Sequence, residues 1–210
     1  MTTVAFLLLS LSAVVAVIDW IAVSAGQRAV EYACKPLGRV GLLATVWSMD
    51  PSSEVARTLL VVGLALSLLG DVCLMLPSDA FLAGLSAFFA AHVAYIVAML
   101  ALGVSVGNLL AGLLVMVVVG LVVARRIVLG ARAAAPALAG PVTAYVVVLA
   151  VMVVAAVGTG IAFAVIGALL FAASDSLLGW TRFVADVRNG RLWVMVTYHL
   201  AQFGLVLALV

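Results

Sequence analysis

Apolar runs of about twenty residues follow one another along most of the chain, each closed by a glycine, a proline or a charged residue. A run of that length crosses a bilayer as a helix, with every backbone hydrogen bond satisfied internally. The pattern therefore predicts an all-α fold, a polytopic transmembrane helical bundle of about eight spans: 3–23, 30–48, 57–76, 80–101, 105–124, 137–157, 160–180 and 192–210. The links are short, so residues 1–210 are expected to form a single integral membrane domain with no room for a soluble one. The first run lacks a basic leader and is long enough to span, so it reads as a first transmembrane helix instead of a signal peptide.

Composition agrees with the pattern. Hydrophobic residues make up 68% of the 210 and charged residues 9%, and a mean hydropathy of +1.43 excludes an ordinary soluble domain. The net charge of +2 is spread over short links and offers no basic patch for nucleic acid. Cys34 and Cys73 have no paired spacing, so neither a disulfide framework nor a zinc site is expected, and both read as membrane-buried thiols.

The basic residues orient the bundle. Arg28, Lys35 and Arg39 fall at the first link, Arg125, Arg126 and Arg132 at the fifth, and Arg182, Arg188 and Arg191 at the seventh, while Arg57 alone falls at an even-numbered link. Cytoplasmic links carry the excess of Lys and Arg. Both termini are therefore expected outside the cytoplasm, in a chain read as a multi-pass protein of a bacterial plasma membrane.

Against that apolar background two aspartates stand out, Asp71 in "LLGDVCLMLP" and Asp175 in "LLFAASDSLLGW". A carboxylate in hydrocarbon is costly, and such residues usually mark a site. Asp71 lies six residues before Pro77 and Asp175 seven before Arg182, which places both roughly 10 Å from the cytoplasmic ends of parallel spans. They can face one another if those spans are neighbours. Asp19, Lys35, Tyr198, His199 and Gln202 enter from the same side, and His92 and Tyr95 reach about the midplane, whereas the outer halves of the spans carry almost no ionisable group. Tyr198 and Gln202, Ser67 and Asp71, and His92 and Tyr95 each share a helical face. The expected site is a polar cavity open to the cytoplasmic leaflet and closed toward the outside.

Plainer readings apply to some of these residues. Ser67, Thr143, Tyr145 and Thr197 read as interhelical hydrogen-bonding residues, Asp19 and Lys35 as either a pair at the mouth or separate contacts, and Asp50, Glu54, Asp79 and Asp186 as solvated loop residues. With so few cations near the carboxyls, one aspartate is expected to keep its proton while the other is ionised, an arrangement suited to acid and base catalysis. A faint echo, an Asp on one helix followed by a histidine on the next (Asp71 with His92, Asp175 with His199), suggests two four-helix parallel repeats meeting at the site.

Taken together, "KP" at Lys35–Pro36, "GDVCLMLPSDAFLAGLSAFFAAHVAY" at 70–95, "GALLFAASDSLL" at 167–178 and "YHLAQ" at 198–202 give the chain a signature that resembles the YhhN family of membrane proteins, the lysoplasmalogenases. The resemblance covers nearly the whole chain. It implies hydrolysis of the vinyl ether bond of lysoplasmenylethanolamine or lysoplasmenylcholine to a fatty aldehyde and the glycerophospho-base. Asp71 and Asp175 would be the catalytic pair, and Lys35, His92, Tyr95, Ser174, Tyr198, His199 and Gln202 would hold substrate. The partner would be a membrane lysophospholipid, with no metal or other cofactor and no soluble partner. The family often has Tyr-Tyr where this chain has Tyr198-His199, which leaves the role of His199 open. Two other classes use similar residues. A proton-coupled transporter needs intramembrane carboxylates, but here polar groups thin out toward the outer side. An intramembrane aspartyl protease carries Gly-x-Gly-Asp, whereas this chain has Leu68-Leu69-Gly70-Asp71, and Ser174 stands where a tyrosine would precede the second aspartate.

Overall fold

A computed structural model describes residues 1–75 and 80–210. Leu76, Pro77, Ser78 and Asp79, and with them the depth marker Pro77 and the loop reading of Asp79, lie outside the described residues. Among the described residues the fold is all-helical, with eight helices: α1 Thr3–Ser24, α2 Arg28–Trp47, α3 Glu54–Met75, α4 Phe81–Leu102, α5 Val106–Ala134, α6 Ala139–Thr159, α7 Ala162–Phe183 and α8 Gly190–Leu207. Six of them, all but α2 and α8, are long and apolar enough to cross a membrane. The chain is an integral membrane protein.

Local chemistry sets the helix ends. The Thr2 side chain accepts from the Ala5 amide at 3.0 Å at the start of α1, and Ser105 does the same for Asn108 at the start of α5. Gly160, at φ 70°, closes α6 in a left-handed conformation that a side chain would resist. The short links make successive helices antiparallel, and each of α1–α2, α2–α3, α3–α4, α5–α6, α6–α7 and α7–α8 is a packed pair. The two halves join mainly where α4 packs on α6 and α1 on α8.

Small residues allow the close pairs. On α3, Gly63 and Gly70 leave room for the rings of Tyr95 and Phe88, and a Cβ at either position would lie within 2.6 Å of ring atoms. On the α7–α8 seam Gly167 and Gly204 bring backbone against backbone, with a Cβ at Gly204 placed 2.7 Å from the Gly167 Cα. With no hydrophobic force between helices in lipid, such close packing is a main source of their association.

One boundary differs from the sequence expectation. The apolar pattern ends the fifth span at residue 124, but α5 continues through a π-helical turn, Gly120–Ala124, to Ala134. Arg125, Arg126 and Arg132 therefore lie on a helix and not in a link. Arginine is a good helix former, and the helix stops only before Pro136, which cannot continue it. Arg39, grouped above with the link charges, also falls inside the predicted span 30–48. It sits in the middle of α2 and is buried. Glu31, Lys35 and Arg39, spaced by four, form one stripe of α2 that faces the bundle.

Candidate active site

Asp71, about one turn before the end of α3, is buried and doubly held. Its Oδ2 accepts from Arg39 Nε at 3.0 Å and from the Tyr198 hydroxyl at 2.8 Å. The Arg39 guanidinium also lies over the Tyr198 ring, 4.0 Å from its centroid, so α2, α3 and α8 are tied at one point. A buried carboxylate facing a buried guanidinium is stable only as a pair. Behind them the Tyr95 hydroxyl meets Ser67 Oγ at 3.0 Å and donates to Gln202 Oε1 at 3.1 Å, which fixes α3, α4 and α8 together.

Asp175, about two turns before the end of α7, has different company. The Tyr145 hydroxyl donates to its Oδ2 at 2.5 Å, and His92 Nε2 stands 3.9 Å from the same oxygen. His92 Nδ1 is 2.6 Å from the Phe88 carbonyl. A carbonyl only accepts, so Nδ1 carries a hydrogen, and in the neutral ring Nε2 presents its lone pair toward Asp175. Edge contacts with Phe171 at 4.7 Å and Tyr145 at 5.3 Å hold that ring in place.

Both aspartates line one cavity of about 550 Å³, whose wall also includes Lys35, Ser174 and Tyr198. Its rim is charged: Glu31, buried, is bound by Lys35 at 2.8 Å and by Arg191, and Arg28 and Asp186 complete the edge. Asp175 also borders a second, narrow and apolar space of about 90 Å³ between α4, α5, α6 and α7. Polar and apolar volumes thus meet at one carboxyl.

Residues 30–209, which contain both aspartates and all of their partners, match the YhhN family. The chain belongs to the YhhN family. Human lysoplasmalogenase TMEM86B is similar at 34% identity over 167 residues, which is 80% of this chain and 70% of that protein. The mouse protein of the same name is 32% identical over 179 residues, 83% of this chain and 72% of its own length. The pig protein is 37% identical over 136 residues, 65% and 56% of the two chains. No solved structure matches.

The family's sequence blocks converge unevenly in space. Asp71, Asp175, Lys35, Ser174 and Tyr198 reach the cavity wall, although the Ser174 hydroxyl is already committed to the Val194 carbonyl at 3.0 Å. His92, Tyr95 and Gln202 stand one layer back, fully buried. His199 is apart from them: its Nδ1 accepts from Trp20 Nε1 at 3.0 Å, a contact between α8 and α1.

Three partners lie outside the residues that the sequence assigns to the site: Arg39, which the sequence offers as a link charge or an early-span cation, Glu31, and Tyr145, whose reading as an interhelical hydrogen-bonding residue holds, with Asp175 as its partner. The i, i+4 stripe Glu31-Lys35-Arg39 was the available signal for the first two, whereas nothing local marks Tyr145. The pairing of Asp19 with Lys35 is not found, because Lys35 takes Glu31 one turn away. Asp19 is buried, and neither of its carboxylate oxygens has a hydrogen-bond partner among the described residues. Asp186, read as a solvated loop residue, is exposed and also edges the cavity.

Proposed function

We propose that this chain is a lysoplasmalogenase, hydrolysing the vinyl ether bond of a lysoplasmenyl phospholipid to a fatty aldehyde and a glycerophospho-base. The observation that carries this reading is the asymmetry of the two aspartates on one cavity, together with the chain's likeness to lysoplasmalogenases that align over most of it. Asp71 faces a guanidinium and is the ionised member. Asp175 faces a phenol and a histidine and is the proton donor. A neutral and an ionised carboxyl in separate settings are what acid-base cleavage of an acetal-like bond requires.

The steps balance with these two groups and one water. Asp175 gives its proton to the β-carbon of the vinyl ether, and the π electrons form that C–H bond. The α-carbon becomes an oxocarbenium ion, which the Asp71 carboxylate and the Tyr198 oxygen stabilise by charge and dipole. Water adds to that carbon as Asp71 takes one of its protons, giving a hemiacetal. Collapse of the hemiacetal breaks the remaining C–O bond. Its hydroxyl proton returns to Asp175, and the departing glycerol oxygen takes the proton held on Asp71. Both carboxyls end as they began.

Lys35, Arg28 and Arg191 at the rim suit the substrate phosphate, and the exposed Asp186 suits a cationic base. The cavity end carries most of the basic residues, which supports a cytoplasmic mouth with both termini on the other side. The test is aldehyde release from lysoplasmenylethanolamine by purified protein in detergent, measured beside an ester-linked lysolipid. Aldehyde from the vinyl ether alone supports the reading, and none from well-folded protein overturns it.

A further inference from the structure

The narrow space beside Asp175 owes its shape to α5. In its first third, Gly112 packs directly on α6, where a Cβ would come within 3.0 Å of Val157 Cβ and 3.1 Å of Val154 Cα. Near its end, Gly130 packs on α7, where a Cβ would come within 2.2 Å of the Phe183 carbonyl oxygen. About five whole turns separate the two glycines, so in an uninterrupted α-helix they would face one direction. The π turn at Gly120–Ala124 adds a residue between them and offsets the second by about 100°. The two ends can therefore meet different neighbours.

Between Gly112 and the buried Ile127, which packs against Val142 and Gly179, a narrow space is left under α5. Met116, Val119, Gly120 and Ala124 roof a groove whose floor is Tyr145, Leu149 and Asp175. A Cβ at Gly120 would meet nothing within 4 Å, although the residue lines the groove. The groove adjoins the polar cavity, since Leu74, Phe88, Asp175 and Leu178 line both. A polar chamber joined at a carboxyl to one narrow apolar slot fits an amphiphile with a single tail.

We infer that the groove beneath α5 is the binding site for the one hydrocarbon chain of the lysolipid, and that Gly120 sets the chain length accepted. This inference rests on the hydrolase reading for its substrate. The head lies in the charged cavity, the scissile bond at Asp175, and the chain runs under the π turn. Burial of apolar surface makes each accommodated methylene worth about fourfold in kcat/KM.

The experiment has two arms. In the first, Gly120→Phe is compared with wild type on vinyl ether substrates of increasing chain length, with folding checked by size exclusion and thermal unfolding. The expected result is a loss of about tenfold or more on long chains, with short chains changed by less than about twofold. Ala150→Phe, on the α6 wall of the same groove, serves if Gly120→Phe does not fold. An unchanged chain-length preference in a folded variant overturns the inference.

The second arm does not depend on turnover. A non-cleavable lysophospholipid with a diazirine at the end of its chain is photolysed with wild type, and labelled residues are mapped by mass spectrometry. Labels on Met116, Val119 or the groove floor support the site. Labels confined to the polar cavity, or spread over the lipid-facing side of α5 as ambient lipid would give, overturn it. Wild type that releases no aldehyde but labels in the groove separates failure of the hydrolase reading from failure of this one.

Discussion

Replacing Arg39 with methionine keeps much of its volume and removes its charge. The structure predicts a large cost, because Arg39 Nε is the cationic partner of Asp71 at 3.0 Å and both residues are buried. Breaking a buried pair by removing one member costs about 3–5 kcal/mol, most of it from the stranded charge. Loss of the guanidinium over Tyr198 adds about 0.5–2 kcal/mol. At roughly 2–4 °C per kcal/mol for a chain of this size, the pair alone corresponds to a fall in Tm of about 6–20 °C. The assay is thermal unfolding in detergent of Arg39→Met, Asp71→Asn and the double variant. The double variant should recover at least half of the stability lost by Arg39→Met, since it no longer holds an unpaired carboxylate, yet release no aldehyde. An Arg39→Met protein within about 1 kcal/mol of wild type, or a double variant no better than the single, would refute the ion pair as the element fixing Asp71.

Further outcomes follow from the same contacts. Tyr145→Phe removes the hydroxyl that holds Asp175, and its kcat should fall about tenfold to a hundredfold with little change in KM, since a hydrogen bond to the carboxylate that forms as Asp175 gives up its proton contributes about 1.5–3 kcal/mol. Glu31→Gln weakens the hold on Lys35 and Arg191 at the rim, so KM should change severalfold more than kcat in initial-rate measurements across substrate concentration. His199→Leu should keep kcat/KM within about threefold while lowering stability by about 1 kcal/mol, because its bond is to Trp20 and not to the cavity.

The helices were legible because a bilayer imposes length and apolarity on every span, and the two aspartates because their cost in hydrocarbon makes them conspicuous. Their partners were harder to read. Arg39 counts among the link charges although it lies inside the 30–48 run, and only the packing of α2 on α3 shows that it points inward. Tyr145 lies thirty positions from Asp175, beyond any helical spacing rule, and becomes its partner through the packing of α6 on α7. The boundary of α5 failed for a different reason: charge was taken as a stop signal, although arginines extend a helix readily and the chain turns only at Pro136. Depth alone allows the two carboxyls to face one another if their spans are neighbours; the structure puts both on the wall of one cavity, with Phe88 of α4 and Tyr198 of α8 lying on it as well.

The central claim is that Asp71 and Asp175 perform separate roles on one vinyl ether. Its most direct measurement is aldehyde release from lysoplasmenylethanolamine by wild type, Asp71→Asn and Asp175→Asn, each shown to be folded, with aldehyde formation followed in heavy water. Protonation of carbon by Asp175 predicts deuterium at the carbon next to the aldehyde, a normal solvent isotope effect on kcat, and loss of about a hundredfold or more in both variants. Undiminished aldehyde release from folded Asp175→Asn would contradict the account.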